Sequence, residues 1–172
     1  VDVKDLLPDE EIERTKEDIF QFGANVKKVY NTAKYNNLDI YQVNCTYYSA
    51  LGDDDAAYLV ARTVQFFAPG IPQVYYVGML AGKNDIELLE KTKEGRNINR
   101  HYYTEEEVRQ EVQRPVVKKL LELMKFRNTC PAFDGSFELL PCGENQLHVR
   151  RQKGEEAAEL RVDFAKKSYQ VF

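Results

Sequence analysis

The sequence predicts an α/β body followed by an antiparallel β tail, and three observations carry that prediction. Ala56, Leu59, Val60, Thr63, Val64 and Phe67 recur at helical spacing and put one apolar stripe on one face. Pro69-Gly70 stops that helix, and Ile71 to Val77 is a short apolar, β-branched and aromatic run closed by Gly78, the pattern of a fully buried strand. From Phe133 onward short alternating runs (SFELL, QLHVRR, AELRVDF, SYQVF) are separated by Gly, Asn and charge-rich turns.

The remaining elements follow in order. Residues 9 to 22 open with Pro8-Asp9-Glu10-Glu11, acids that suit the positive end of a helix, and close on Gly23, predicting a mostly exposed helix. Between Tyr30 and Gly52 the chain turns to Asn, Tyr, Thr and Ser with little periodicity, a stretch too long for a mere connector. Asp53-Asp54-Asp55 are helix-start residues in preference to metal ligands. A short helix is expected near Asp85 to Lys91, then the polar segment GRNINRHYY. Thr104 with Glu107 makes a capping box, and Pro115 opens a helix whose buried stripe is Val117, Leu120, Leu121 and Met124. Glu105-Glu106-Glu107 and Glu155-Glu156 are most simply a helix start and a solvated turn. There is no internal repeat, and one complete strand-helix unit cannot be an independent α/β domain.

Composition narrows the function classes. The chain has 172 residues, 43% hydrophobic and 30% charged, with a net charge of -4 and a pI near 5.4. No broad basic surface is available for nucleic-acid phosphates or anionic lipids, so neither nucleic acid nor membrane is an expected partner. Cys45, Cys130 and Cys142 are odd in number and widely spaced, which argues against a disulfide framework and for a cytoplasmic setting. They lack zinc-site spacing, and His101 and His148 are isolated, so no metal is expected. The most apolar stretch, Val64 to Gly82, is interrupted by Gln, Pro and Gly and predicts a core segment.

The strings LDIYQVNCTYYSALGDDD, FFAPGIPQVYYVGMLAGKND and EGRNINRHYY together resemble the sucrose phosphorylases of the α-amylase superfamily, glycoside hydrolase family thirteen. GIPQVYYVG alone is less specific, because related members carry similar text at the last barrel strand. The resemblance implies the C-terminal portion of a (β/α)8 TIM barrel with part of an inserted small domain, followed by a C-terminal antiparallel β-sheet domain. On that template residues 1–52 are the insertion after strand seven with its acceptor-site loop. Residues 53–132 are the end of the barrel including strand eight, and 133–172 the sheet domain. A complete barrel needs about 250 residues, so the chain is expected to be a fragment.

The family cleaves sucrose with phosphate to α-glucose 1-phosphate and fructose, with retention, using a nucleophilic carboxylate, an acid and a third carboxylate. All three belong to motifs preceding Val1, so no catalytic residue is assigned here and the fragment is expected to be inactive. Sucrose, fructose, glucose 1-phosphate and phosphate are the implied partners, phosphate being a co-substrate with no cofactor required. Family members are often dimers, which adds a homodimer of the full-length protein to the expectations.

Four residues carry the implied substrate contacts. Asp39, Tyr41 and Gln42 lie in text resembling the acceptor-site loop, and a carboxylate, a phenol and an amide suit sugar hydroxyls or phosphate. Without the resemblance they are equally well turn residues and a surface anchor. Arg96, in GRNINR, matches an arginine at the bottom of the glucosyl pocket, where its planar fork fits better than lysine would. Taken alone it is a surface arginine tying down a loop. Neutral Tyr41 favours plain sucrose over a phosphorylated one. Phosphorylases of sucrose 6-phosphate, glucosylglycerol or glucosylglycerate and a sucrose hydrolase are the enzymatic alternatives, and a non-catalytic interaction or folding module is the alternative of another class. Three tyrosine doublets (Tyr47-Tyr48, Tyr75-Tyr76, Tyr102-Tyr103) are expected mainly to pack. His101 is expected to bond a loop carbonyl and His148 to face outward. Helices built to cover a barrel are also expected to expose apolar stripes and leave the lone chain incompletely stable.

Overall fold

The computed structural model describes residues 6–26 and 43–172. Helix α1 (Asp9–Gln21) carries Asp9, Glu10 and Glu11 in its first turn and buries no residue, the exposed helix that the acids predict. β1 (Asn25–Val26) pairs antiparallel with β2 (Val43–Asn44). α2 (Tyr47–Ala50) is capped by Thr46, whose hydroxyl accepts from the Ser49 N–H at 3.1 Å. α3 (Asp55–Phe67) is capped by Asp54, which accepts from the Ala56 and Ala57 N–H groups at 2.9 and 3.1 Å. The acidic triplet therefore starts a helix, as its position predicts.

After α3 come α4 (Tyr76–Met79), α5 (Ile86–Thr92), a 3-10 turn at Gly95–Asn99, α6 (Glu105–Glu111) and α7 (Pro115–Thr129). The Thr104–Glu107 capping box is present, with the Glu107 carboxylate reaching the Thr104 N–H at 2.6 Å, and Pro115 occupies the first position of α7. The tail forms one antiparallel sheet in the order β3 (Ser136–Leu139), β4 (Gln146–Lys153), β5 (Glu156–Asp163), β6 (Ser168–Val171). All four strands fall on the four alternating runs.

Helix α3 is the centre of the molecule because it is apolar on two flanks. Tyr58, Leu59 and Phe66 pack with Leu80, Ala81 and the α7 residues Val116, Val117 and Leu120. Val60 and Phe67 face Ala132, Phe133 and the sheet residues Val149, Ala158, Leu160 and Val162. Each valine, leucine and phenylalanine among them contributes about 1.5–3 kcal/mol on burial, and α3, shared by the two clusters, joins the sheet to the helices. Lys167 adds an ion pair to Asp54 at 2.6 Å, fastening the β5–β6 turn to the start of α3. Arg151, only 5% exposed, points inward from β4 and donates from one terminal nitrogen to the Phe133 carbonyl at 2.6 Å.

Gly135 starts β3 where no side chain fits: a Cβ there would collide with the Gln152 carbonyl on β4. Gly135→Ala is expected to destabilise the sheet by about 1–3 kcal/mol, read as a lower denaturant midpoint.

The Ile71–Val77 strand expectation needs correction. Residues 71–75 belong to no sheet, Ile71 is 91% exposed, and Tyr76 and Val77 begin α4. A buried parallel strand needs neighbours on both edges for its N–H and C=O groups, and among the described residues no strand lies beside it. Pro72 removes one donor as well. Side chains hold the segment instead: Gln65 donates to the Gln73 carbonyl at 2.9 Å and Arg127 to the Gly70 carbonyl at 3.2 Å. The α/β expectation thus becomes, for the described residues, a helical body with an antiparallel four-stranded sheet.

Candidate functional site

The polar side chains gather where the loop after α4 meets the loop after α5. Gly82 lies so close to the Tyr103 hydroxyl and Val77 that a Cβ would strike both, which lets residues 81–85 pass tightly over Tyr103. Asn84 then acts as a hub. Its Oδ1 accepts from the Thr46 N–H at 2.7 Å, its Nδ2 donates to the Phe22 carbonyl at 3.2 Å, and its own N–H donates to Ser49 Oγ at 3.0 Å. One amide side chain thereby ties the end of α1, the approach to α2 and the 81–85 loop together.

Asp85 caps α5 by accepting from the Leu88 N–H at 2.7 Å. Its own N–H donates to the Ile98 carbonyl at 2.7 Å, and its second oxygen meets His101 Nδ1 at 2.6 Å. Arg96 sits in the 3-10 turn between these anchors, half-buried, with fully buried Ile98 two residues on. Lys93 ends α5 in the left-handed region at φ 54°, and Asn97 Nδ2 donates to Thr92 Oγ1 at 2.9 Å. β2 packs against this turn.

His101 stands between two carboxylates, with Glu107 at 3.5 Å from Nε2, and its ring meets Tyr103 edge-on at 4.5 Å. Burial works to lower its pKa, but the hydrogen bonds and charges of Asp85 and Glu107 prevail and raise it. For Asp85, burial works upward and is outweighed by the Leu88 N–H and His101, which hold the carboxyl below its usual range. The expected carbonyl partner for His101 is therefore replaced by carboxylates, because the capping position of Asp85 points its free oxygen at the ring. His148 also departs from the outward expectation: it is largely covered and meets Glu159 at 3.0 Å.

The doublets pack only in part, since Tyr47, Tyr75, Tyr76 and Tyr102 are exposed. Tyr48 is buried and donates to Asp55 at 2.7 Å, Tyr47 lies under the Arg62 guanidinium at 4.4 Å, and burial pushes the Tyr103 phenol up to about 12. His101 and Tyr103 border two clefts, one apolar, about 420 Å³, with Tyr76, Val108 and Leu121, and one polar, about 440 Å³, with Lys83, Asp85 and Arg114.

Of the four expected substrate contacts, Arg96 is described, on a loop anchored at both ends. Asp39, Tyr41 and Gln42 lie outside the described residues. Sequence reasoning missed Asn84 and Asp85, although an Asn-Asp pair directly before the IELL run is a recognisable helix-capping signal. Among the described residues, no three or more His, Cys, Asp or Glu gather as a metal site, and no helix is long and apolar enough to cross a membrane.

Comparisons with known proteins agree with one another. The chain is 58% identical to a sucrose phosphorylase of Streptococcus mutans over 99% of its own length and 36% of that relative. It is 48% identical to a glucosylglycerol phosphorylase of Marinobacter adhaerens, again over 99% of this chain and 36% of the relative. The fold superposes on the crystal structure of a sucrose 6F-phosphate phosphorylase from Thermoanaerobacter thermosaccharolyticum with a TM-score of 0.91 at 43% identity, covering 98% of this chain and 34% of that one. No protein-family model matches. The chain spans about a third of the length of the curated relatives it matches.

Proposed function

From the premise that this chain belongs to the family of the sucrose phosphorylases, we propose that it supplies the sugar- and acceptor-binding edge of an enzyme that phosphorolyses sucrose. The reaction breaks the anomeric C–O bond to fructose and transfers the glucosyl group to phosphate, with retention. Two displacements achieve that, and the carboxyl pair performing them must stand about 5–5.5 Å apart across the bond. Parts of the parent outside these 172 residues supply that pair, so the chain alone does not turn over sucrose. Phosphate is a co-substrate, and no organic cofactor enters.

Residues 53–132 form the closing part of a (β/α)8 barrel, residues 1–52 belong to the insertion before it, and residues 133–172 to the sheet domain. The exposed, unpaired run at 71–75 supports this: Ile71 and Tyr75 are apolar, and Tyr75 has extended dihedrals of -70° and 151°. An apolar extended segment with open edges suits a stave that pairs with strands supplied elsewhere in the parent.

The observation that carries the site is the seat of the Arg96 turn against β2. Asp39, Tyr41 and Gln42 precede Val43 by at most four residues, a reach of roughly 14 Å of extended chain. In the parent enzyme that short link to β2 would bring them beside the loop that presents Arg96. Arg96 meets the glucosyl hydroxyls, and the 39–42 segment meets fructose or the incoming phosphate.

Exchanging this chain for the matching segment of the Streptococcus mutans relative makes a full-length chimera that tests the reading. Sucrose and phosphate should yield glucose 1-phosphate, faster than sucrose 6-phosphate or glucosylglycerol does. A folded chimera that releases none from any of the three contradicts it. Preference for one of the other two would keep the phosphorylase and change its acceptor, a choice on which neutral Tyr41 favours plain sucrose.

A further inference from the structure

In the loop that presents Arg96 the Asn97 N–H donates to the Glu94 carbonyl and the Arg100 N–H to the Asn97 carbonyl, at 2.9 and 3.1 Å. Other elements grip it as well. Asp85 reaches it twice, by its backbone N–H to Ile98 and by its carboxylate to His101, and the Tyr76 hydroxyl donates to the His101 carbonyl at 2.8 Å. These contacts grip the chain two and five residues beyond Arg96.

We propose that Asp85 and His101 are a positioning pair for Arg96, setting the affinity of the site for its sugar without touching it. The inference deepens the sugar reading of Arg96 and rests on it. A charged imidazole can donate to Asp85 from Nδ1 and to Glu107 from Nε2 at once, whereas a neutral ring keeps one donor. Tyr103 and Tyr76 are the other titratable groups against the ring and its backbone, and Lys83, Glu87, Glu111 and Arg114 share the adjoining polar cleft.

The direction of the pH effect follows. His101 is raised, so its two-sided hold on the loop is complete below the ordinary histidine value of about 6.5 and falls to a single donor as pH rises through the raised value. Asp85 is lowered, so its share is lost only on the acid side, as pH falls through the lowered value. Between those limits the loop is fixed.

The test uses the full-length chimera. Asp85→Asn keeps the helix cap, since Asn caps as well as Asp, and removes the charge. It should raise KM for sucrose roughly tenfold, the scale of one charge-assisted hydrogen bond, with a smaller change in kcat, and should quicken amide exchange across residues 94–101. The unsubstituted protein should show KM rising on the alkaline side, and His101→Gln should abolish that rise. Unchanged KM and exchange in Asp85→Asn, or an alkaline rise that persists in His101→Gln, would overturn the pair. An unsubstituted chimera without phosphorylase activity would instead overturn the sugar reading, and the exchange arm alone would then decide whether Asp85 holds the loop.

Discussion

Replacing Arg96 with lysine in the chimera should lower kcat/KM for sucrose by about 10²-fold, equivalent to about 3 kcal/mol. The turn at Gly95–Asn99 holds the arginine by its neighbours, through buried Ile98 and the Asn97 side chain, so the substitution leaves the backbone anchors intact. What changes is the head group. A guanidinium presents a planar fork that can bind two oxygens at once, and an ammonium offers a point charge without that geometry. The loss should appear in both kcat and KM, because a sugar held loosely at its far end is also misplaced at the anomeric carbon. Arg109→Lys, at an exposed pair with Glu105 on α6, is the control and should stay within about twofold. Equal effects of the two substitutions would remove Arg96 from the site.

Phe67→Ala should cost about 3–5 kcal/mol, the range for deleting a buried aromatic. Phe67 is 1% exposed, meets Phe133 edge-on at 4.9 Å and Phe126 at 6.5 Å, and faces the sheet from the end of α3. It occupies the seam between helices and sheet, so its loss should uncouple the two. Hydrogen exchange should show β4 and β5 opening with a lower free energy while the Tyr58–Leu120 side of the core changes less. Phe67→Leu, which refills most of the volume, should recover more than half of the loss. Uniform destabilisation of both clusters would mean that the seam is not where the sheet is held.

How much of this was legible in the sequence depended on the range of the interaction. Caps were readable because their partners lie within four residues, as at Asp54 before α3 and the Thr104–Glu107 box, and the four tail strands because alternation and turn residues are local even where pairing is not. Ile71–Val77 misled because its composition suits a buried stave while pairing depends on strands far away in sequence. Asp85 and His101, sixteen residues apart, illustrate the same limit. The cap was available from Asn84-Asp85 before an apolar run, but nothing local announces that its second oxygen meets an imidazole. Arg96 was named through the resemblance carried by GRNINR; no periodicity marks it out. Three of the four expected contacts, Asp39, Tyr41 and Gln42, lie outside the described residues, and only their covalent proximity to β2 links them to the Arg96 turn.

The most direct test is a crystal structure of the full-length chimera with glucose bound. The Arg96 guanidinium should lie about 3 Å from sugar hydroxyls, with Asp39 and Gln42 at the rim of the same cavity and residues 71–75 paired as a strand beneath it. Arg96 turned away from the sugar, or residues 71–75 still unpaired in the complete protein, would contradict it.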